Sequence, residues 1–339
     1  MRVLVSLAWV LSVSAAALAQ SAAPESRAVA FLVKAVEGWH GAQGCYSCHH
    51  NGDAARALLL ASHRGHDVGK ALDETRAFLA TPAQWAANKS HGDDEALMRL
   101  QFAAALAADG ERDLHPAKPL EDAATLLLAD QQPDGSWVPD ASDGPGSPLT
   151  WGTALATSMA RATLMSAGRQ PDDFAVAQTD RWLRTVEAST VTDAAGIILG
   201  LGMTSDVMTD KQRAACLNLL RFAQRDSGGW GAEPNAEAAT VFDTALVVIA
   251  LQQLDTDPRL ARSTFRPEEL KDAIARGRAF SAQQQPDGGW PETMRGAPGP
   301  VPHSGSRRRA GRCRPCWGVR SSRNGHEKSV NLQSVPGEW

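Results

Sequence analysis

Gln131-Gln132-Pro133-Asp134-Gly135-Ser136-Trp137 returns as Gln284-Gln285-Pro286-Asp287-Gly288-Gly289-Trp290, with a weaker copy at Gln224-Arg225-Asp226-Ser227-Gly228-Gly229-Trp230. Each copy follows a helical pattern and carries an Asp-Gly or Gly-Gly breaker, so each reads as a turn. Working outward, the segments before the turns mix charges with one apolar stripe. Around 210–224, Ala215, Leu219 and Phe222 show the i, i+4, i+7 spacing of a one-sided helix. The segments after the turns, such as Ala194 to Leu201 and Ala245 to Leu251, are apolar nearly all round, as a helix buried on every side must be. Their starts, near residues 53, 94, 153, 193 and 243, recur at intervals of about 40 to 60 residues, the mark of a helical repeat array. No strand-like alternation competes. An amphipathic outer ring around a buried inner ring satisfies both patterns, and the expected fold is all-α, a toroid of about six helical hairpins with the last one incomplete.

These Gln-x-x-x-Gly-x-Trp turns resemble the QW repeats of squalene and hopene cyclases, and the helix arrangement resembles the prenyltransferase and squalene-oxidase repeat family over roughly residues 28–293. The resemblance implies that Gln131, Trp137, Trp230, Gln284 and Trp290 tie one hairpin to the next. It also implies a test for cyclase chemistry. Class II terpene cyclases protonate an alkene or epoxide with the middle Asp of an Asp-x-Asp-Asp-Thr-Ala stretch, and the matching stretch here is Thr240-Val241-Phe242-Asp243-Thr244-Ala245. Phe242 stands where the acid belongs and has no proton to give. Aromatic faces for a polyene cation are also scarce once the turn tryptophans are set aside. Zinc-dependent prenyl transfer drops out too, because Cys216 has no Asp or His at ligating spacing, and no zinc is expected in the toroid.

The carboxylates Asp53, Asp94, Asp193 and Asp243 all fall at inner-helix starts, around one mouth of the expected cavity. They read as N-caps stabilised by free N–H groups and the helix dipole. The functional reading is a ring of acids for general acid/base work on a carbohydrate or an isoprenoid.

One motif carries sharper chemistry. Gly44-Cys45-Tyr46-Ser47-Cys48-His49-His50 stands where the first hairpin should have its Gln-Trp turn. Cys-x-x-Cys-His is the attachment signature of c-type haem: Cys45 and Cys48 would take the two vinyl groups and His49 the iron. The segment also resembles the Cys-x-Ser-Cys-His-His stretch found ahead of these repeats in some exported bacterial proteins. A Cys45–Cys48 disulfide, or a small metal site with His49 and His50, stays open as an alternative. For a second iron ligand the sequence offers His63, His66, His91 and Met98.

The ends read differently from the middle. Arg2, the apolar run from Val3 to Ala16 and the Ala17-Leu18-Ala19 cleavage pattern form a signal peptide over 1–19. An exported chain, periplasmic or secreted and without a transmembrane segment after its removal, is expected. Residues 20–293 form the toroid. Residues 294–339 break the repeat with Gly296-Ala297-Pro298-Gly299-Pro300 and Arg307-Arg308-Arg309, and read as a disordered basic tail or a shifted reading frame. Within it Cys313-Arg314-Pro315-Cys316 with His303 or His326 is a weak zinc pattern. Of the 34 Lys and Arg residues, eight lie in 297–339 against two Glu, which leaves the body acidic and argues against nucleic-acid binding. The expected role is electron transfer or binding by an exported haem-carrying toroid, with an undefined redox partner or small-molecule ligand. The rivals are a cavity-based acid/base enzyme and a purely structural or interaction module.

Overall fold

A computed structural model describes residues 23–88, 95–110, 117–139, 152–202, 208–255 and 265–291. The signal-peptide, Asp94, His91 and C-terminal-tail expectations fall outside them. Among the described residues the chain is helical, and the one β-contact is an isolated bridge between Trp230 and Thr240.

The outer ring comprises α1 (Pro24–Gln43), α3 (Asp73–Leu79), α5 (Lys118–Asp130), α7 (Phe174–Thr185), α9 (Asp210–Ala223) and α11 (Pro267–Ser281). The inner ring comprises a π-helix, Cys48–Ala54, that runs directly into α2 (Ala55–His63), then α4 (Glu95–Asp109), α6 (Thr153–Ser166), α8 (Val191–Leu201) and α10 (Val241–Asp255). Each inner helix packs on the next and on at least one neighbouring outer helix, so the expected α/α toroid is the fold found. Burial follows the sequence pattern. In α9 it is confined to one stripe, with Arg213, Cys216, Leu217, Leu220 and Ala223 inside and Phe222 78% exposed. In α8, eight of eleven residues are buried.

The turns explain their own composition. Each tryptophan reaches back: Trp137, Trp230 and Trp290 donate Nε1–H to the carbonyls of Leu127, Leu220 and Ser281 in the preceding outer helix, at 2.9, 2.7 and 2.7 Å. Each glutamine reaches forward: Gln131, Gln224 and Gln284 donate Nε2–H to Ala175, Ala273 and Pro24 in the next outer helix, at 2.9, 3.0 and 2.8 Å. The glycine between them is obligatory for two reasons. Gly135, Gly228 and Gly288 have φ of 96°, 89° and 89°. A Cβ there would also stand 2.5, 2.8 and 2.4 Å from the carbonyl oxygens of Gln178, Arg276 and Arg27.

Gln284 docks on α1, so the last turn meets the first outer helix and the ring closes. Five inner positions are filled among the described residues. The expectation of an incomplete last hairpin falls on residues after 291, outside the described ones.

Candidate functional site

Two places collect chemistry. The first is a cavity of about 210 Å³ at the centre of the toroid. Its wall comes from four inner helices. Asp53, Arg56 and Ala57 come from the π-helix and α2; Leu155, Ser158, Met159 and Ala162 from α6; Leu199 from α8; Leu246, Ile249 and Gln253 from α10. The polar groups gather on few residues. Ser158 is already committed, its hydroxyl donating to the Ala154 carbonyl at 2.8 Å. Asp53 is 9% exposed, and its Oδ2 accepts from Gln101 Nε2 at 2.6 Å. That hydrogen bond crosses from the first inner helix to the second and fixes the carboxylate at the cavity wall. Gly52 permits the approach, since a Cβ there would stand 3.1 Å from the Gln101 Cβ.

The other acids lie elsewhere. Asp193 is the third residue of α8, and the cap is Thr190, whose Oγ1 accepts from Asp193 N while Asp193 Oδ2 accepts from Thr190 N. The carboxylate is therefore half of a capping box. Asp243 occupies the same position in α10. Thr240 Oγ1 accepts from Asp243 N at 3.0 Å and donates to Oδ2 at 2.7 Å, while Thr192 Oγ1 donates to Oδ1 at 3.3 Å. Asp243 is 1% exposed, and burial pushes its pKa up to about 6 despite those two hydroxyls. Neither Asp193 nor Asp243 lines the cavity. Asp193 takes the capping role the sequence reading gave it, although the N-cap residue itself is Thr190, whereas the Asp243 carboxylate accepts from threonine hydroxyls and not from backbone N–H groups. Asp53 differs more: it sits inside the π-helix, five residues after its start, rather than at a helix start. Phe242 is 3% exposed and belongs to the core.

The second place is the Cys45–His50 segment. Gly44, left-handed at φ 68°, closes α1, and the chain then runs extended through Ser47 into the π-helix that begins at Cys48. Ser47 caps that helix, its Oγ accepting from His49 N and His50 N. Tyr46 is clamped: its ring stacks between His40 and Phe78 at centroid distances of 4.3 and 3.9 Å. Its backbone N–H donates to Asn88 Oδ1 at 3.0 Å, and its carbonyl accepts from Asn88 Nδ2 at 2.7 Å. His50 stacks on Trp39 at 4.1 Å, and burial lowers its pKa to about 3, with the neighbouring His49 adding to the shift. Cys48 Sγ lies 3.7 Å from His49 Nδ1. Cys45 and Cys48 are thiols, and among the described residues no cluster of three or more His, Cys, Asp or Glu is arranged around a metal position.

The donor set fits covalent haem: two thiols three residues apart, with an imidazole directly after the second. Access is unequal. Cys48 and His49 are half-buried, whereas Cys45 is 4% exposed. A thioether at Cys45 would have to form before residues 44–47 close against Asn88. Cys216 is 1% exposed in the core, and burial pushes its thiol up to about 12, which leaves it inert.

Comparison with known proteins adds a likeness of fold. No protein-family profile matches the chain, and no curated protein matches it. Among solved structures, the apo type II terpene cyclase MstE from Scytonema superposes with a TM-score of 0.53 over 79% of this chain and 80% of that one, at 17% identity. At that identity the likeness shows the shared helical toroid and nothing finer. No helix among the described residues is long and apolar enough to cross a membrane.

Proposed function

We propose that the toroid binds, in its central cavity, a compact and largely apolar molecule with one neutral polar group, and that acid/base work on it falls to Asp53. The observation that carries this reading is the wall itself: Leu155, Met159, Leu199, Leu246 and Ile249 face a carboxylate and a guanidinium on a single turn of the first inner helix. A carbohydrate would need hydrogen-bonding groups all round, which this wall does not offer. Size narrows the choice. An apolar cavity of about 150 Å³ holds benzene, and drug-sized ligands fill roughly 300 Å³ or more. A cavity of about 210 Å³ suits a ten-carbon unit such as a short isoprenoid alcohol. Titration calorimetry with geraniol against the wild type and a cavity-filled variant tests it.

A second reading concerns the rim of the same first inner helix. We propose that the exported chain, periplasmic or secreted, carries one c-type haem on Cys45, Cys48 and His49. Haem bound there supplies one-electron exchange. The half-exposed pair Cys48 and His49 supports this reading, and so does the placement of Met98 beside the loop. Haem staining after denaturing electrophoresis tests it, because thioethers survive denaturation and plain iron ligation does not.

A further inference from the structure

Resting on the cavity reading, we infer that the preferred ligand adds a second hydroxyl at its far end, where Gln253 receives it. The polar groups of the wall stand at two levels. Asp53 and Arg56 lie together on the first inner run, whereas Gln253 lies on α10, one turn beyond Ile249 and two beyond Leu246. The inner helices run the same way round the toroid. A Cβ at Gly196 or Gly200 of α8 would meet Leu155 or Ser158 of α6, in that order. Thr192, near the start of α8, donates to Asp243, and Gly202, just past its end, stands against Leu254 of α10. Hairpins alternate outer and inner helices, so the first inner run follows the same direction. Asp53 is the sixth residue of that run and Gln253 the thirteenth of α10. At 1.5 Å per residue the two levels are separated by roughly 10 Å. A carbon–carbon bond is about 1.5 Å, so the extended main chain of a ten-carbon isoprenoid spans a similar distance.

Gln253 is out of keeping with its neighbours. It follows the apolar run Leu246-Val247-Val248-Ile249-Ala250-Leu251, and its Oε1 is sealed from solvent with no hydrogen-bond partner among the described residues. Leaving a buried acceptor unsatisfied is costly, so a ligand group that supplies the missing donor is favoured more than it would be at an exposed amide. A hydroxyl suits this amide in either orientation. It donates to Oε1 or accepts from Nε2, and the last torsion of a glutamine is broad enough to turn either atom to the cavity. A carboxylate, a ketone or an ether only accepts, and would leave Oε1 unmatched. Ser158 offers no substitute, because its hydroxyl is committed to the Ala154 carbonyl.

The test compares geraniol with ω-hydroxygeraniol, the same carbon skeleton with a hydroxyl at each end, by calorimetric titration into the full chain. Three forms are used: wild type, Gln253→Met and Gln253→Leu. Both replacements are good helix formers without the amide, and circular dichroism verifies that the fold is kept. The wild type should bind the diol about tenfold more tightly than geraniol, the gain of one further hydrogen bond. In Gln253→Met and Gln253→Leu that preference should disappear while geraniol binds as it does to the wild type. Equal or weaker binding of the diol by the wild type, or a diol preference that survives in both variants, overturns the assignment of Gln253 and leaves the apolar cavity standing. Failure of both alcohols to bind the wild type overturns the underlying reading as well.

Discussion

Gln284 donates its side-chain amide to the main-chain oxygen of Pro24 at 2.8 Å, and its Oε1 accepts from Arg27 Nε and Nη2 at 3.2 and 3.0 Å, so the end of the repeat array is tied to its beginning across some 260 residues. The equivalent Gln131 makes the same forward contact between neighbours in sequence. Gln284→Ala should therefore cost about 1–2 kcal/mol for its lost hydrogen bonds. It should also speed proteolysis at both ends of the toroid, whereas Gln131→Ala should affect the middle. Denaturant unfolding combined with limited proteolysis separates the two effects. Equal cleavage patterns for both variants would show that the last turn does not close the ring.

The inner ring depends on one close approach. A Cβ at Gly196, midway along α8, would stand 2.7 Å from Leu155 N and 2.9 Å from Leu155 Cα on α6. Gly196→Ala gains helix propensity but forces the two helices apart, and should destabilise by about 2 kcal/mol. A thermal melt at or above the wild-type midpoint would contradict that packing.

Asp243 makes stability depend on pH. Its pKa rises from the ordinary 3.8 to about 6 on folding, chiefly through burial. The folded state therefore holds the proton more tightly than the unfolded chain. That contribution is complete below pH 3.8 and is lost as pH rises through 6. Asp243→Asn imitates the neutral form, so its stability relative to wild type should improve by about 1.4 kcal/mol between pH 5 and pH 8. Denaturant titrations of both proteins at the two pH values measure it. A pH-independent difference would mean that Asp243 is ionised in the fold.

Cyclase chemistry should be absent. Phe242, which stands where the acid belongs, is part of the core and has no proton to give. Incubation with squalene or oxidosqualene should give no cyclic product by gas chromatography; robust cyclisation would overturn the reading of Phe242.

The toroid was legible because its turns carry their physics locally. A glycine that must be left-handed, a tryptophan reaching back about ten residues and a glutamine reaching forward recur at fixed offsets, and the two helix classes declare their burial through hydrophobic periodicity. The cavity was not legible. Asp53 was one of four acids at similar positions, and what distinguishes it is Gln101, forty-eight residues away on another helix. Asp193 and Asp243 looked alike in sequence, yet only Asp243 is sealed from solvent and contacted by a hydroxyl from the neighbouring helix. The clamp on Tyr46 was hidden as well. Asn88 follows a short 3-10 turn, Pro82–Ala87, with no motif of its own, and its contacts with Tyr46 and Met98 arise only when the first two hairpins pack.

The most direct measurement of the central claim is calorimetric titration of geraniol into the wild type, Asp53→Asn and Ala162→Trp. Ala162 lines the cavity and is exposed although it sits on an inner helix, so a tryptophan there occupies the cavity without overpacking the core. Saturable one-to-one binding is expected for the wild type. Affinity should weaken roughly tenfold in Asp53→Asn, about the 1.4 kcal/mol of one altered hydrogen bond. Binding should vanish in Ala162→Trp while the helical signal is unchanged. No binding to the wild type, or equal binding to Ala162→Trp, would contradict a ligand-binding cavity and leave the toroid as an interaction module.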